Sequence, residues 1–411
     1  MIPLTTPGLT FAAQLATINR LCPTDPAQNR LVYTPTWTAA QAQLITWGLA
    51  AGLRATVDDF GTVYLDLPGQ DDQTIATGSH MDTVANGGRY DGLYGIIAGF
   101  QAITALHRQL GRPQHTLRLI AFSEEEGSRF PLTFTGSKHY ARQTVETRMV
   151  DADGTSFEEA RQLAVAPLQG HPGVHSGLPA LPASFTELHI EQGPRLTQAH
   201  QQVGIVTGLV GQRRFTLTLK GRANHAGTTP MADRHDALQA AVTLIASLRH
   251  HAQVLDDALT FTVGRFEVVP NSANVIPGLV RFTVDCRHPS DLVLTEFERQ
   301  LHQAAHALMA PQLTITIQRW VHDLPVHFDQ RLTTQNQRLA AQLNLRARRL
   351  TSGAGHDSGI MSSVVPTAML FVPSVAGISH APAELTSPTD LAHGVTLLTA
   401  SLRAQAYGGL A

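Results

Sequence analysis

The sequence predicts an α/β protein: a mixed, mostly parallel sheet with helices on both faces, plus an inserted α+β domain. Three observations predict it. Short apolar runs alternate with helical periodicities through residues 10–120, and the alternation resumes from about residue 333. Between these stretches, residues 211–322 change to strands of period two separated by two amphipathic helices. Finally, 411 residues exceed one ordinary domain and suffice for two or three cores.

In chain order, helices are expected around Trp37–Gly52 and Ile96–Leu110, with buried strands at Thr74–Ser79 and Thr116–Phe122. The Gly-, Pro- and His-rich stretch 170–184 reads as a surface loop, and Phe185–Glu191 as a further strand. Arg214–Lys220 then alternates, with Phe215, Leu217 and Leu219 on one side and Arg214, Thr216 and Thr218 on the other. A helix from about Asp233 to His250 follows, then strands Leu259–Val268 and Gly278–Arg287. A helix Asp291–Leu308 capped by Ser290 and a strand Leu313–Trp320 complete the set. That β-α-β-β-α-β order is the ferredoxin-like arrangement of four strands under two helices. Residues 211–322 are thus read as an insertion, leaving 1–210 and 323–411 as the larger, site-bearing domain. A helix Thr333–Leu343, a strand Thr367–Val372 and a helix Pro388–Gln405 close it.

Composition excludes several classes. Thirty basic residues, only Lys138 and Lys220 of them lysines, face 32 acidic ones, so no basic surface for nucleic acid or anionic membrane is expected. No window of 18 apolar residues and no secretory signal appear. Two cysteines, Cys22 and Cys286, make neither a disulfide framework nor a thiolate metal site, and a reducing cytoplasm is the expected compartment. The unusual count is 20 histidines.

In open α/β sheets, ligands bind beyond the carboxyl ends of the strands. The strand Thr74–Ser79 runs into His80-Met81-Asp82, and Asp91 follows in the glycine-rich segment 87–92. Thr116–Phe122 delivers Ser123-Glu124-Glu125-Glu126-Gly127. The next strand carries His189, and the last leads to Gly377-Ile378-Ser379-His380. Alone, His80 could be structural and the acidic run a solvated turn. Converging at one sheet edge, three His with carboxylates suit two divalent ions sharing one carboxylate, for which Asp91 is the candidate. Glu125 is then the candidate general base. Gly353-Ala354-Gly355 could offer amides to an anion at a helix start, which places Gly355 among candidate substrate contacts, but no phosphate-loop lysine accompanies it. Neither a nucleophile elbow nor a dinucleotide fingerprint is present at these turns.

The segments GSHMDTVANGG, YDGLYG, FSEEEGSRFP, ELHIEQGP, RANHAGTTPM, NVIPG, DCRH, SGAGHDS and GISHAPAE together resemble the M20-type metallopeptidase superfamily. The likeness is to its branch of amidases, hydantoinases and carbamoylases, and spans about Leu31 to Ala406. It implies that His80, Asp91 and His189 hold one Zn or Mn ion, and Asp91, Glu126 and His380 another. It also implies Glu125 as base, Asp82 orienting His80, and His225 with Asn274 as oxyanion donors from the inserted domain, acting as a lid. Arg287 would grip a substrate carboxylate, Arg214 being a second candidate for that anion, and Gln192 would line the pocket. A homodimer through the lid domains is implied, with His225 completing the partner's site. FSEEEGSRFP and DCRH are more similar to the branch's allantoate enzymes than to its carbamoylases. The implied reaction is hydrolysis of a ureido C–N bond; N-carbamoyl-L-amino acids and ureidopropionate are the alternative substrates.

Overall fold

The computed structural model describes residues 5–6 and 9–408 of the chain. Two compact units emerge, one of residues up to Thr207 and from His327 onward, the other of Gly208–Val326. Among the described residues no helix is long and apolar enough to cross a membrane.

In the larger unit the sheet is mixed. Its centre is four parallel strands in the order Thr367–Val372, Ser184–Ile190, Asp71–His80 and His115–Phe122. Because they run the same way, all four carboxyl ends lie at one edge. Antiparallel strands flank this centre, Val203–Leu209 on one side and Val63–Leu67 then Arg54–Val57 on the other. The expected loop 170–184 contains a three-residue strand, Val174–Ser176, pairing in parallel with Arg54–Val57. Polar, Gly-flanked residues there become a strand because a neighbouring edge supplies their hydrogen bonds.

Strand alternation divides two apolar layers. Leu117, Leu119 and Ala121 enter the main core with Val63 and Leu65, whereas Ile120 and Phe122 join Tyr64, Phe185, Tyr140 and Met361 on the opposite face. The main layer is covered by helices Pro35–Ala50, Leu93–Leu110 and Pro388–Ala406. The middle one starts three residues earlier than its periodicity suggests, directly after Gly92 (φ 64°). Every residue from Leu93 to Leu106 is buried, so the helix shows little amphipathic pattern at its start. Ser387 caps the last helix through the amide of Asp390, with Pro388 at its first position.

The smaller unit is a four-stranded antiparallel sheet in the order Thr260–Val269, Leu279–His288, Gly211–Lys220, Thr314–Asp323. Phe215 pairs with Val284, Leu217 with Phe282 and Leu219 with Val280, and these pairs face helices Ala237–Leu255 and Asp291–Leu308. The first helix begins later than expected, at Ala237, because the Asp236 carboxylate accepts the amides of Leu238 and Gln239. Ser290 occupies the cap position of the second, but its side chain makes no capping bond.

Candidate metal centre

The carboxyl edge of the parallel strands gathers the site. His80 is the last residue of its strand and His189 the penultimate residue of the next. Both rings are buried and direct Nε2 at one oxygen of Asp91, Oδ1, at 3.4 and 3.1 Å. His380 Nε2 lies 3.1 Å from the other oxygen, Oδ2, and 3.5 Å from Glu126 Oε2. Asp91 is therefore shared, each oxygen belonging to a different histidine set. Donor atoms of His80, Asp91 and His189 all lie within 4.8 Å of one another, as do those of Asp91, Glu126 and His380, and of His80, Glu125 and Glu126.

Surrounding backbone fixes the rings. His80 Nδ1 faces the Asp82 carbonyl at 3.0 Å, and His189 Nδ1 faces the Ile190 carbonyl at 2.9 Å. A neutral imidazole held that way presents Nε2 as its lone-pair nitrogen, the arrangement a metal ligand needs. The Asp82 carboxylate is 3.4 Å from His80 but does more elsewhere. It accepts the amides of Glu125 at 3.0 and 3.2 Å and of Glu126 at 3.1 Å, organising the acidic turn.

Electrostatics fit a cation at this position. Burial raises the Glu125 carboxyl well above the usual range, with Glu126 adding to the shift against the pull of His80. Glu126 is pushed up to about 7, chiefly by burial and next by Asp91. Burial opposes ionisation of Asp91 too, but the surrounding imidazoles of His189, His380 and His80 hold it well below the carboxylate range. His380, half-exposed, is raised to about 9, first by Asp91. Glu126 Oε1 is buried without a hydrogen-bond partner, as is Glu124 Oε2. Clustered carboxylates with imidazole lone pairs aimed at them and an orphaned oxygen are a donor set that a divalent ion would satisfy.

Gln192 donates to Asp91 Oδ2 at 2.9 Å and lies 3.3 Å from His380 Nε2. Both Gln192 and His380 adopt left-handed backbone (φ 58° and 54°), a cost tolerated where the surroundings over-determine the conformation. Gly355 precedes a helix of only five residues and packs on the Phe134 ring.

Three further residues close to this centre carry no sequence-based assignment. Glu384, 3% exposed, accepts the amides of Tyr90 and Asp91. Glu187 accepts from the Ser79 hydroxyl and the Ser358 amide beneath His80. His356 packs edge-on against His189 at 4.7 Å, with its pKa driven well below the ordinary value by burial and then by His189. The sequence signals for Glu384 are its spacing of four from His380 and its place at the end of the segment GISHAPAE.

The smaller unit holds the remaining candidates in two groups. His225 sits on a two-residue strand paired with Val275–Ile276, and the Ala226 amide bonds to the Asn274 carbonyl. His225 Nδ1 accepts amides from Gly227 and Thr228, which leaves the proton on Nε2 as an outward donor. The Asn274 side-chain oxygen accepts from Ser272. On the sheet face away from the helices, Arg214 stands opposite Asp285, with Arg287 two residues on. Asp285 receives Arg214 Nε at 2.7 Å and Arg287 Nε at 3.0 Å beside a cavity of about 410 Å³ that also involves Thr260, Thr262 and Trp320.

Comparisons with known proteins agree with this architecture. Residues 76–404 match the model of peptidase family M20/M25/M40. Allantoate amidohydrolase of Escherichia coli is 40% identical, the match covering 92% of this chain and 93% of that protein. N-carbamoyl-L-amino-acid amidohydrolase of Paenarthrobacter aurescens is 33% identical over 95% of this chain and 96% of its own. A hydantoinase/carbamoylase family amidase from Burkholderia multivorans superposes with a TM-score of 0.90 at 32% identity, over 96% and 97% of the two chains. This chain belongs to the M20/M25/M40 peptidase family.

Proposed function

We propose that this protein is an allantoate amidohydrolase, a metal-dependent hydrolase of a ureido C–N bond. The observation that carries the reading is near full-length likeness to the Escherichia coli enzyme of that activity, on a chain whose shared Asp91 is flanked by imidazoles and Glu126. The 33% likeness to a carbamoylase supports N-carbamoyl-L-amino acids as the second reading.

His80, Asp91 and His189 would hold one divalent cation, and Asp91, Glu126 and His380 a second, zinc or manganese. When bound, the ions supply Lewis acidity toward the ureido carbonyl and the attacking water. Glu125 takes the proton from that water and returns it to the departing nitrogen, a task suited to a carboxyl whose pKa burial has raised. The Nε2 proton of His225 and the Asn274 amide stabilise the oxyanion, each such donor contributing about 3–4 kcal/mol. Arg287, with Arg214, pairs with the substrate carboxylate. Water adds to the carbonyl carbon, the C–N bond to the terminal nitrogen breaks, and ammonia leaves. The remaining carbamate loses carbon dioxide, so allantoate yields ureidoglycine. The working form is a cytoplasmic homodimer joined through the lid units, with His225 serving the partner's site.

Ammonia release after metal reconstitution, measured on allantoate, N-carbamoyl-L-amino acids, ureidopropionate and dipeptides, tests the reading. Allantoate should give the highest kcat/KM, and a chelator should abolish turnover. Turnover of dipeptides alone would overturn it.

A further inference from the structure

We propose that Glu384 is a positioning residue of the metal centre, fastening the loop that carries Asp91 to the loop that carries His380 and thereby setting how tightly the second cation is held. The inference rests on the reading of two cations, but not on the identity of the substrate.

Glu384 lies almost 300 residues from the loop it grips. Its Oε1 accepts the Tyr90 amide at 2.8 Å and the Asp91 amide at 3.1 Å. Its Oε2 accepts the Ser379 hydroxyl at 2.7 Å, and that hydroxyl is also 3.3 Å from Asp91 Oδ2. One carboxylate thus holds the backbone of the shared ligand and the residue preceding the His380 ligand. Its own amide donates to Ala381, closing the turn just after His380. A buried carboxylate is tolerated only when its oxygens are compensated, and two amides with a hydroxyl do so here.

The Asp91 loop is shaped around this carboxylate. A Cβ built on Gly88 would overlap the carboxylate carbon and both oxygens of Glu384. Gly88 is therefore required for the approach, not for an unusual backbone angle.

The two halves of the centre depend on this tie unequally. His80 and His189 are buried and each is braced by a backbone carbonyl. The His380 side chain is 48% exposed on a loop with left-handed backbone at Ala376, Gly377 and His380, and that loop must be held from outside. Loss of the tie should therefore fall on the ion at Asp91, Glu126 and His380. Removing groups that orient metal ligands typically costs 10–100-fold in affinity.

The full-length protein and its Glu384→Gln, Gly88→Ala and double variants are loaded with Zn²⁺ and dialysed against a graded chelator series. Bound metal per subunit is measured, with parallel Co²⁺ titrations followed by absorption and circular dichroism checking the fold. Both single variants should retain the tighter ion and bind the second 10–100-fold more weakly. The double variant should be no worse than the weaker single one, because both changes break one contact. Two ions held at wild-type affinity by both variants, or equal weakening of both ions, would overturn the proposal. So would a wild-type protein that binds fewer than two ions. A wild-type protein that binds two ions, shows the predicted defects and hydrolyses no ureido acid would refute the proposed function while upholding the role of Glu384.

Discussion

Replacing Asp82 by alanine tests how the acidic turn is assembled. Its carboxylate is 1% exposed and is the acceptor for the Glu125 and Glu126 amides. Truncation strands two buried donors, each at about 1–3 kcal/mol. The turn should lose roughly 2–6 kcal/mol of preference for the observed geometry. At tenfold per about 1.4 kcal/mol, kcat/KM should drop between about 30-fold and 10⁴-fold. Asp82→Asn retains one neutral acceptor in place of a charge-assisted one, a loss of about 1–2 kcal/mol or roughly 5–30-fold. The assay is steady-state ammonia release, with metal content and a urea melt recorded on the same samples. The drop should lie in kcat, because Asp82 touches neither arginine assigned to the substrate. An alanine variant within threefold of wild type at full metal loading would refute the reasoning. So would an asparagine variant as damaged as the alanine one, since the charge opposite His80 would then matter more than the acceptors.

Glu125→Gln should lower kcat by about 10²–10⁴-fold with bound metal unchanged; near-wild-type turnover would remove Glu125 from the base role. Asp58, buried and accepting from Tyr64, Phe60 and Thr62, is pushed up to about 7 by burial. Unfolded, it titrates near about 3.9, so between about pH 4 and 7 the folded chain carries a proton the unfolded chain lacks, and stability falls as pH rises. Asp58→Asn removes that dependence, so urea melts should show its stability relative to wild type climbing by up to about 4 kcal/mol from pH 4 to 8; a constant difference contradicts the shift. Arg213, buried among Asp291, Glu298 and Thr295 on the helix side of the smaller sheet, loses all three partners when cut to alanine, while Glu298 keeps Arg319 at 2.9 Å and Asp291 stays open to water. That variant should lose about 1–3 kcal/mol in denaturant melts, and an unchanged midpoint would show the pairs to be idle.

What the sequence revealed depended on how locally each feature is encoded. Thr116–Phe122 is legible because burial on both faces favours an apolar run, which only Arg118 interrupts after Thr116. Arg54–Val57 and Val174–Ser176 are not, since their pairing partners rather than their residues make them strands. Histidines and acids at strand ends announce themselves by position, and His80, Asp91, Glu126, His189 and His380 do lie together. Glu384 and Glu187 stay hidden because what they hold is backbone amide and serine hydroxyl, which leave no pattern in a single chain. Arg213 carries no reading from the sequence either. Its place in an alternating strand puts a guanidinium on the core side, where two carboxylates from helix Asp291–Leu308 meet it.

The smaller unit leaves the larger after Thr207 and returns at His327, and the Phe328 amide bonds to the Thr207 carbonyl at 3.0 Å. To the larger sheet, about 120 inserted residues are one excursion between hydrogen-bonded neighbours. Even as slack chain, an excursion that long would cost only about 3 kcal/mol more closure entropy than a five-residue turn. The insert folds around its own core, which lowers that figure further. Lengthening, trimming or exchanging the insert is thus thermodynamically inexpensive for the sheet that presents the histidines, whose carboxyl edge does not depend on what the excursion contains.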